Sequence, residues 1–98
     1  MERKRFIIVN PADNVATAIT DIGSQEPLRL PGTPAAAGLT ARDPIPFGHK
    51  LALVRIGKGQ GVIKYGQTIG RATTDIEPGS HVHVHNVESL RGRGDLGE

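Results

Sequence analysis

His81, Val82, His83, Val84 and His85 alternate imidazole with a β-branched apolar residue, a period of two that fits a strand and no helix. On a strand, three imidazoles spaced this way share one face at steps of roughly 6.5–7 Å. Neighbouring rings with opposed rotamers can then converge on one divalent ion, at bonds of about 2.0–2.1 Å for zinc. The chemistry on offer is metal ligation, or proton transfer and anion binding near neutral pH, where imidazole titrates. The same alternation also describes a half-exposed antiparallel strand with its valines inward. Three histidines in five positions favour chemistry, because Thr, Lys or Glu would solvate such a face equally well. Asn86 follows directly as a hydrogen-bond partner able to orient a ring, which ranks His83 and His85 ahead of His49 and His81 as contacts for metal or substrate. His49 comes after Pro46-Phe47-Gly48 and opens Lys50-Leu51-Ala52-Leu53-Val54. Taken alone, it reads as a loop or strand-start residue.

The elements that must position these histidines are short. The chain has 98 residues, of which 37% are hydrophobic, with three aromatics and no tryptophan, so one modest core of Val, Ile, Leu and Ala is expected. Thirteen glycines and seven prolines cut it into brief segments and favour a mainly β fold rich in turns. Phe6-Ile7-Ile8-Val9 reads as a strand ended by Asn10-Pro11. From Ala12 to Gly23, Val15, Ala18, Ile19 and Ile22 fall at helical spacing, with Asp13 able to cap and Gly23 to stop; the pattern predicts one short helix. Leu28-Arg29-Leu30 and Leu39-Thr40-Ala41 read as short strands, and Thr33 to Asp43 as the most mobile loop. Gly57-Lys58-Gly59-Gln60-Gly61 is no phosphate loop, since neither Lys-Ser/Thr nor a helix follows. It reads as a hairpin tip, and Glu77-Pro78-Gly79-Ser80 as a type II turn delivering the histidine strand.

Several functions are excluded or disfavoured. The formal charge is +2 with no cysteine, which removes disulfides, thiolate nucleophiles and Cys-type zinc sites. Basic residues cluster only at the ends, without interleaved aromatics, so nucleic acid is not an expected partner. No apolar run reaches the ~18–20 residues of a membrane span, and a cytoplasmic location is the expectation. The tail from Arg91 to Glu98 is glycine-rich and charged and is expected to be flexible, although Arg91 and Arg93 can clamp a carboxylate or phosphate.

Four ordered motifs, Ile45-Pro46-Phe47-Gly48-His49-Lys50, Val62-Ile63-Lys64-Tyr65-Gly66, Ile69-Gly70-Arg71-Ala72 and His81-Val82-His83-Val84-His85-Asn86, together with Pro11-Ala12-Asp13-Asn14-Val15-Ala16, resemble the SAF-type module of the altronate and galactarate dehydratase family. The resemblance implies a β-clip of short, strongly bent strands over residues 1–90, followed by the tail 91–98. It implies a small subunit of a two-component hydro-lyase, whose site is completed by a large catalytic subunit that removes water from a sugar acid. On that basis His49, His83 and His85 are expected to be catalytic, Lys50, Arg71 and Asn86 to bind substrate, and His81, His83 and His85 to hold a divalent metal, iron or manganese by family likeness, in the complete enzyme. The isolated chain is expected to fold, to be inactive, and to be capable of forming a homo-oligomer. Tail residues Ser89 to Leu96 also resemble the ending of the sulfolactate sulfo-lyase small subunit. A non-catalytic sugar-acid binding or regulatory module is the alternative from another class, since SAF-like folds serve without lyase activity elsewhere.

Overall fold

In the computed structural model, residues 5–28 and 39–89 are described, and the structural statements below concern them. They form nine short strands: β1 (Phe6–Ile7), β2 (Val15–Ala18), β3 (Pro27–Leu28), β4 (Leu39–Thr40), β5 (Lys50–Ala52), β6 (Gly61–Lys64), β7 (Gln67–Ala72), β8 (His81–Val82) and β9 (Val87–Ser89). Three antiparallel sheets result, in the orders β1-β2-β5-β8, β3-β4 and β6-β7-β9.

A repeat underlies these strands. Alanine, isoleucine four residues on, and leucine or valine six further recur as Ala18/Ile22/Leu28, Ala41/Ile45/Leu51, Ala52/Ile56/Val62 and Ala72/Ile76/Val82. Every one of these side chains is buried. Between the isoleucine and the leucine or valine the backbone makes a tight turn, closed by amide-to-carbonyl bonds from Glu26 to Gly23, His49 to Pro46, Gln60 to Gly57 and Ser80 to Glu77. The third turn residue has positive φ each time: Gln25 (69°), Gly48 (85°), Gly59 (87°) and Gly79 (85°), as a type II turn requires. Units interlock in pairs, through Ile22 with Ile45 and Ile56 with Ile76. Reciprocal bonds complete each pair: Gly48 donates to the Ala18 carbonyl and Gln25 to Ala41, while Gly59 donates to Ala72 and Gly79 to Ala52.

The four-stranded sheet is the wall between two cores. Register aligns Ala16 with Leu51 and Phe6 with Ala18, and these residues face one core with Ile22, Leu28, Leu39, Ala41 and Ile45. Val15, Ala52 and Val82, on the opposite face by strand alternation, join Ile56, Val62, Ala72 and Ile76 in the other.

The fold is mainly β, as the composition implies, but the helix expected between Ala12 and Gly23 is absent. Residues Val15–Ala18 form β2, paired on both sides with β1 and β5, and this pairing buries alternate residues in two different cores, which local helical spacing cannot match. The four-residue step from Ala18 to Ile22 belongs to the repeat. Asp13 caps no helix; its carboxylate accepts from the amides of Asn10 (3.1 Å) and Gly66 (2.8 Å). Gly57 to Gly61 is not a hairpin tip either, because β5 and β6, which flank it, lie in different sheets. The hairpin is β6-β7, turned by Tyr65 (φ 60°) and Gly66 (φ 71°), the type I′ geometry that matches strand twist. The expected turn at Glu77–Ser80 is present. Residues 29–38, most of the loop read as mobile, and the tail 91–98 lie outside the described residues.

Candidate functional site

His49 is the last residue of the second turn, and its position follows from register. Lys50 pairs with Val82 and Leu51 with His81, so one step further sets His49 opposite His83. His49 also lies beside Ala18, whose amide donates to the His49 carbonyl at 2.8 Å. Strand alternation then puts His49, His81 and His83 on the sheet face that carries Ala18 and Leu51, where the first core gives way to solvent. The rings pack together: centroids of His49 and His83 are 4.2 Å apart, His49 and His81 5.0 Å, and His81 and His83 5.4 Å. His49 Nδ1 and His81 Nε2 are 2.8 Å apart. One nitrogen atom from each of His49, His81 and His83 lies within 4.8 Å of the others, and all three residues are half-buried.

The expected strand from His81 to His85 stops at Val82. Residues 84–86 turn, and Val84 is 82% exposed, so the valines do not alternate inward. The cause is Asn86, which is buried: its Oδ1 accepts from the His83 amide (3.0 Å), its Nδ2 donates to the His81 carbonyl (2.8 Å), and its amide donates to the His83 carbonyl (3.1 Å). The side chain expected to bind substrate thus spends both amide ends on the loop that holds two histidines. His85 is exposed at the outer side of this turn, with its centroid 5.3 Å from that of His81, and it is outside the set whose nitrogens converge. The convergent set is His49, His81 and His83 instead of the expected His81, His83 and His85.

Asp43, which sequence reasoning left in a loop, anchors the start of β8 by accepting from the His81 amide at 2.9 Å. It also lines an open groove with Gln25, Leu39, Thr40, Arg42 and Pro78. Its signal in the sequence was the repeat, which makes Ala41 to Ile45 framework.

Electrostatics favour neutral rings. His81 is held below the ordinary imidazole value, first by burial, then by the neighbouring charges of His49, His85 and His83, with Asp43 acting in the opposite sense. His83 is also lowered, by desolvation and then by His49, Lys50 and His85. Lys50 sits half-buried on β5, its ammonium pushed down from the usual lysine value by burial and by Lys64, while Tyr65 acts the other way. Lys64 lies over the Tyr65 ring, 4.8 Å from its centroid. Arg71 is exposed on β7 of the three-stranded sheet, in register with Gly61 and Glu88, so it shares no sheet with the histidines. Phe47 and Val84, 69% and 82% exposed, adjoin the cluster in sequence on either side.

Residues 4–90 match the family described as the altronate/galactarate dehydratase SAF domain. Altronate dehydratase of Bacillus subtilis is 40% identical over 86 residues, covering 88% of this chain and 16% of that protein. Galactarate dehydratase (L-threo-forming) of Escherichia coli is 38% identical over 77 residues, 79% of this chain and 14% of its own length. The (2R)-sulfolactate sulfo-lyase subunit alpha of Paracoccus pantotrophus is 49% identical over 53 residues, 54% of this chain and 79% of that subunit. The chain therefore spans about a sixth of the altronate dehydratase it matches and the greater part of a lyase subunit.

Proposed function

This chain belongs to the altronate/galactarate dehydratase SAF domain family, and from that membership we propose that it is the small, histidine-bearing component of a lyase that eliminates water from a sugar acid at a site completed by a large catalytic region. The observation that carries the reading is the juxtaposition of His49 with His81 and His83 on adjacent strands. Imidazoles near neutral pH suit an elimination, in which one base takes the proton from the carbon next to the carboxylate and one acid protonates the leaving hydroxyl. The C–H and C–O bonds break, the electron pair forms the carbon–carbon double bond of an enol, water departs, and the enol becomes the keto acid.

In this proposal His49 and His83 handle protons, while Lys50, on the other face of β5 by strand alternation, acts on the site through its charge at His83. His85 and Arg71 reach the substrate only in the assembled enzyme. A divalent metal in the complete enzyme would supply polarisation of a substrate oxygen, leaving His49 and His83 free for the proton steps. Exposed Phe47 and Val84 give the large region an apolar rim to cover, closing the site from water. The sulfo-lyase reading stands second. It is supported by the 79% of a sulfo-lyase subunit alpha that the matched region covers, and it replaces hydroxide by sulfite as the leaving group.

The test is reconstitution with a large dehydratase or sulfo-lyase subunit, followed by turnover of altronate, galactarate and (2R)-sulfolactate. Activity that requires both components and drops by about 10²–10⁴ in His49→Gln or His83→Gln is the expected result. Full activity without this chain, or with both variants, refutes it.

A further inference from the structure

The geometry points to a binding site for a small tetrahedral oxyanion, phosphate in class, built by Thr17, Lys50, Lys64 and Tyr65 on the face of the four-stranded sheet opposite the histidines. The inference goes beyond the elimination chemistry proposed above and does not depend on it, since anion binding is read without turnover and on the other side of the sheet.

Register puts these groups together. Val15 and Ala52 face the second core with Val62, and Thr17 and Lys50, each two residues away along its strand, point the same way. The two are direct cross-strand partners. The β6-β7 hairpin lies against this face. Asn14 ties it to β2, its Oδ1 accepting from the Ile63 amide (2.8 Å) and its Nδ2 donating to the Gly61 carbonyl (3.0 Å), and the Asp13 carboxylate holds the Gly66 amide (2.8 Å). The hairpin thereby brings Lys64 and Tyr65 to Lys50, and theirs are the neighbouring charges that act on it. The Lys64 ammonium rests over the Tyr65 ring, a contact that holds the cation at the hairpin tip.

Charge selects the ligand. No carboxylate acts on Lys50, and among the described residues the ion pairs engage Arg5 and Arg55 but neither lysine. Two ammonium groups without a counter-charge repel each other, and an anion seated between them turns the repulsion into attraction. Compact ammonium point charges suit phosphate, whereas planar two-point capture of a carboxylate falls to the arginine fork, and no arginine acts on Lys50.

Thr17 is an independent sign. Its Oγ1 is buried without a hydrogen-bond partner among the described residues, an uncommon condition because an unpaired buried hydroxyl costs free energy. Phosphate held by Lys50, its cross-strand neighbour, supplies the acceptor, with the flexible Lys50 stem giving way to admit it. The exposed Tyr65 phenol offers a further donor from the hairpin.

The experiment titrates the full chain, dialysed free of metal, with inorganic phosphate at constant ionic strength. The expected result is saturable binding of one equivalent per chain by calorimetry. Side-chain ¹⁵N resonances of Lys50 and Lys64 and the Thr17 methyl signal move together, while the Lys58 side chain does not respond. Sulfate competes, and acetate does not. Lys64→Met weakens binding by at least about fivefold and Thr17→Val by at least about threefold, whereas Lys58→Met changes it by less than about twofold. Thr17→Val is expected not to lower the thermal midpoint, since the hydroxyl has no partner to lose in the free chain, and this separates loss of a ligand contact from loss of fold. The lysine resonances of the parent chain decide the matter if Lys64→Met misfolds. No saturable binding, equal losses in Lys58→Met and Lys64→Met, competition by acetate as strong as by sulfate, or full affinity in both Lys64→Met and Thr17→Val overturns the assignment.

Discussion

His49 Nδ1 lies 2.8 Å from His81 Nε2, so in the metal-free chain one ring proton serves both nitrogens, and a second proton forces the rings apart. Around His81 stand His49, His83, His85 and Asp43, and Lys50 adds its charge at His83. Because His81 and His83 are lowered in the folded state, the unfolded chain takes up protons first as pH falls below about 6.5. These groups cost nothing above that pH and destabilise the fold progressively below it, down to the depressed folded-state values. Thermal midpoints measured in chelator from pH 7.5 to 5 are expected to fall, and His81→Gln to flatten the slope. A parent profile that is level or rises toward pH 5 contradicts this.

Asn86→Ala leaves the His83 amide and His81 carbonyl without their side-chain partners in a buried loop. Urea unfolding is expected to show a loss of about 1–3 kcal/mol. Ring contacts between His81 and His83 loosen as well, visible as altered histidine resonances in the folded variant. Asn86→Ala within a few tenths of the parent means the loop is held otherwise.

Gly48 and Gly79 share a φ of 85° but not their surroundings. A Cβ on Gly48 meets nothing, whereas one on Gly79 collides with the Thr40 carbonyl oxygen. Gly48→Ala is expected to cost about 1 kcal/mol, the conformational penalty alone. Gly79→Ala must exceed it by at least about 1 kcal/mol, since backbone has to move. Equal losses in denaturant titrations would mean the two turns are equally free.

Ile56 and Ile76 bridge within one core, and Ile22 lies in the other. Each Ile→Ala change is expected to cost about 2–5 kcal/mol. Ile→Val versions, milder at about 0.5–1.5 kcal/mol, allow double-mutant cycles. Ile56 with Ile76 is expected to couple, and Ile56 with Ile22 to add independently. Coupling of similar size in both cycles would point to a single continuous core.

How much of this was legible in the sequence follows from which signals are local. Turn residues are local, so Pro78-Gly79 announced its type II turn, and glycine density announced a mainly β chain. Four quoted motifs were enough for the family. Strand partners are not local: the β2 residues carry helical spacing, and only Phe6, Leu51 and Lys50 arriving on either side decide the matter. The histidine alternation was read as a strand because nothing near it in sequence shows that Asn86 folds back onto His81 and His83. His49 joins that pair through register with β8, a relationship across more than thirty residues. The interval from alanine to isoleucine to leucine or valine was readable throughout, and it went unnoticed because its four copies are unevenly spaced, only Ala41–Leu51 and Ala52–Val62 adjoining.

Those four copies assign each position a task. Alanine, isoleucine and leucine or valine are spent on the interior, while the residue closing each turn, Glu26, His49, Gln60 or Ser80, serves the interlock through its backbone. The side chains of Glu26 and Gln60 also brace their own turns by accepting from the amides of Gly23 and Gly57. The scaffold is in effect a rack with four matching slots on one frame. Here the slot holding His49 lies beside the strand that starts after Ser80, and that adjacency makes a cluster out of residues that separate slots would have kept apart. A different side chain in the Ser80 slot would give the same frame another chemistry, whereas exchange at Glu26 or Gln60 also removes a brace of the turn.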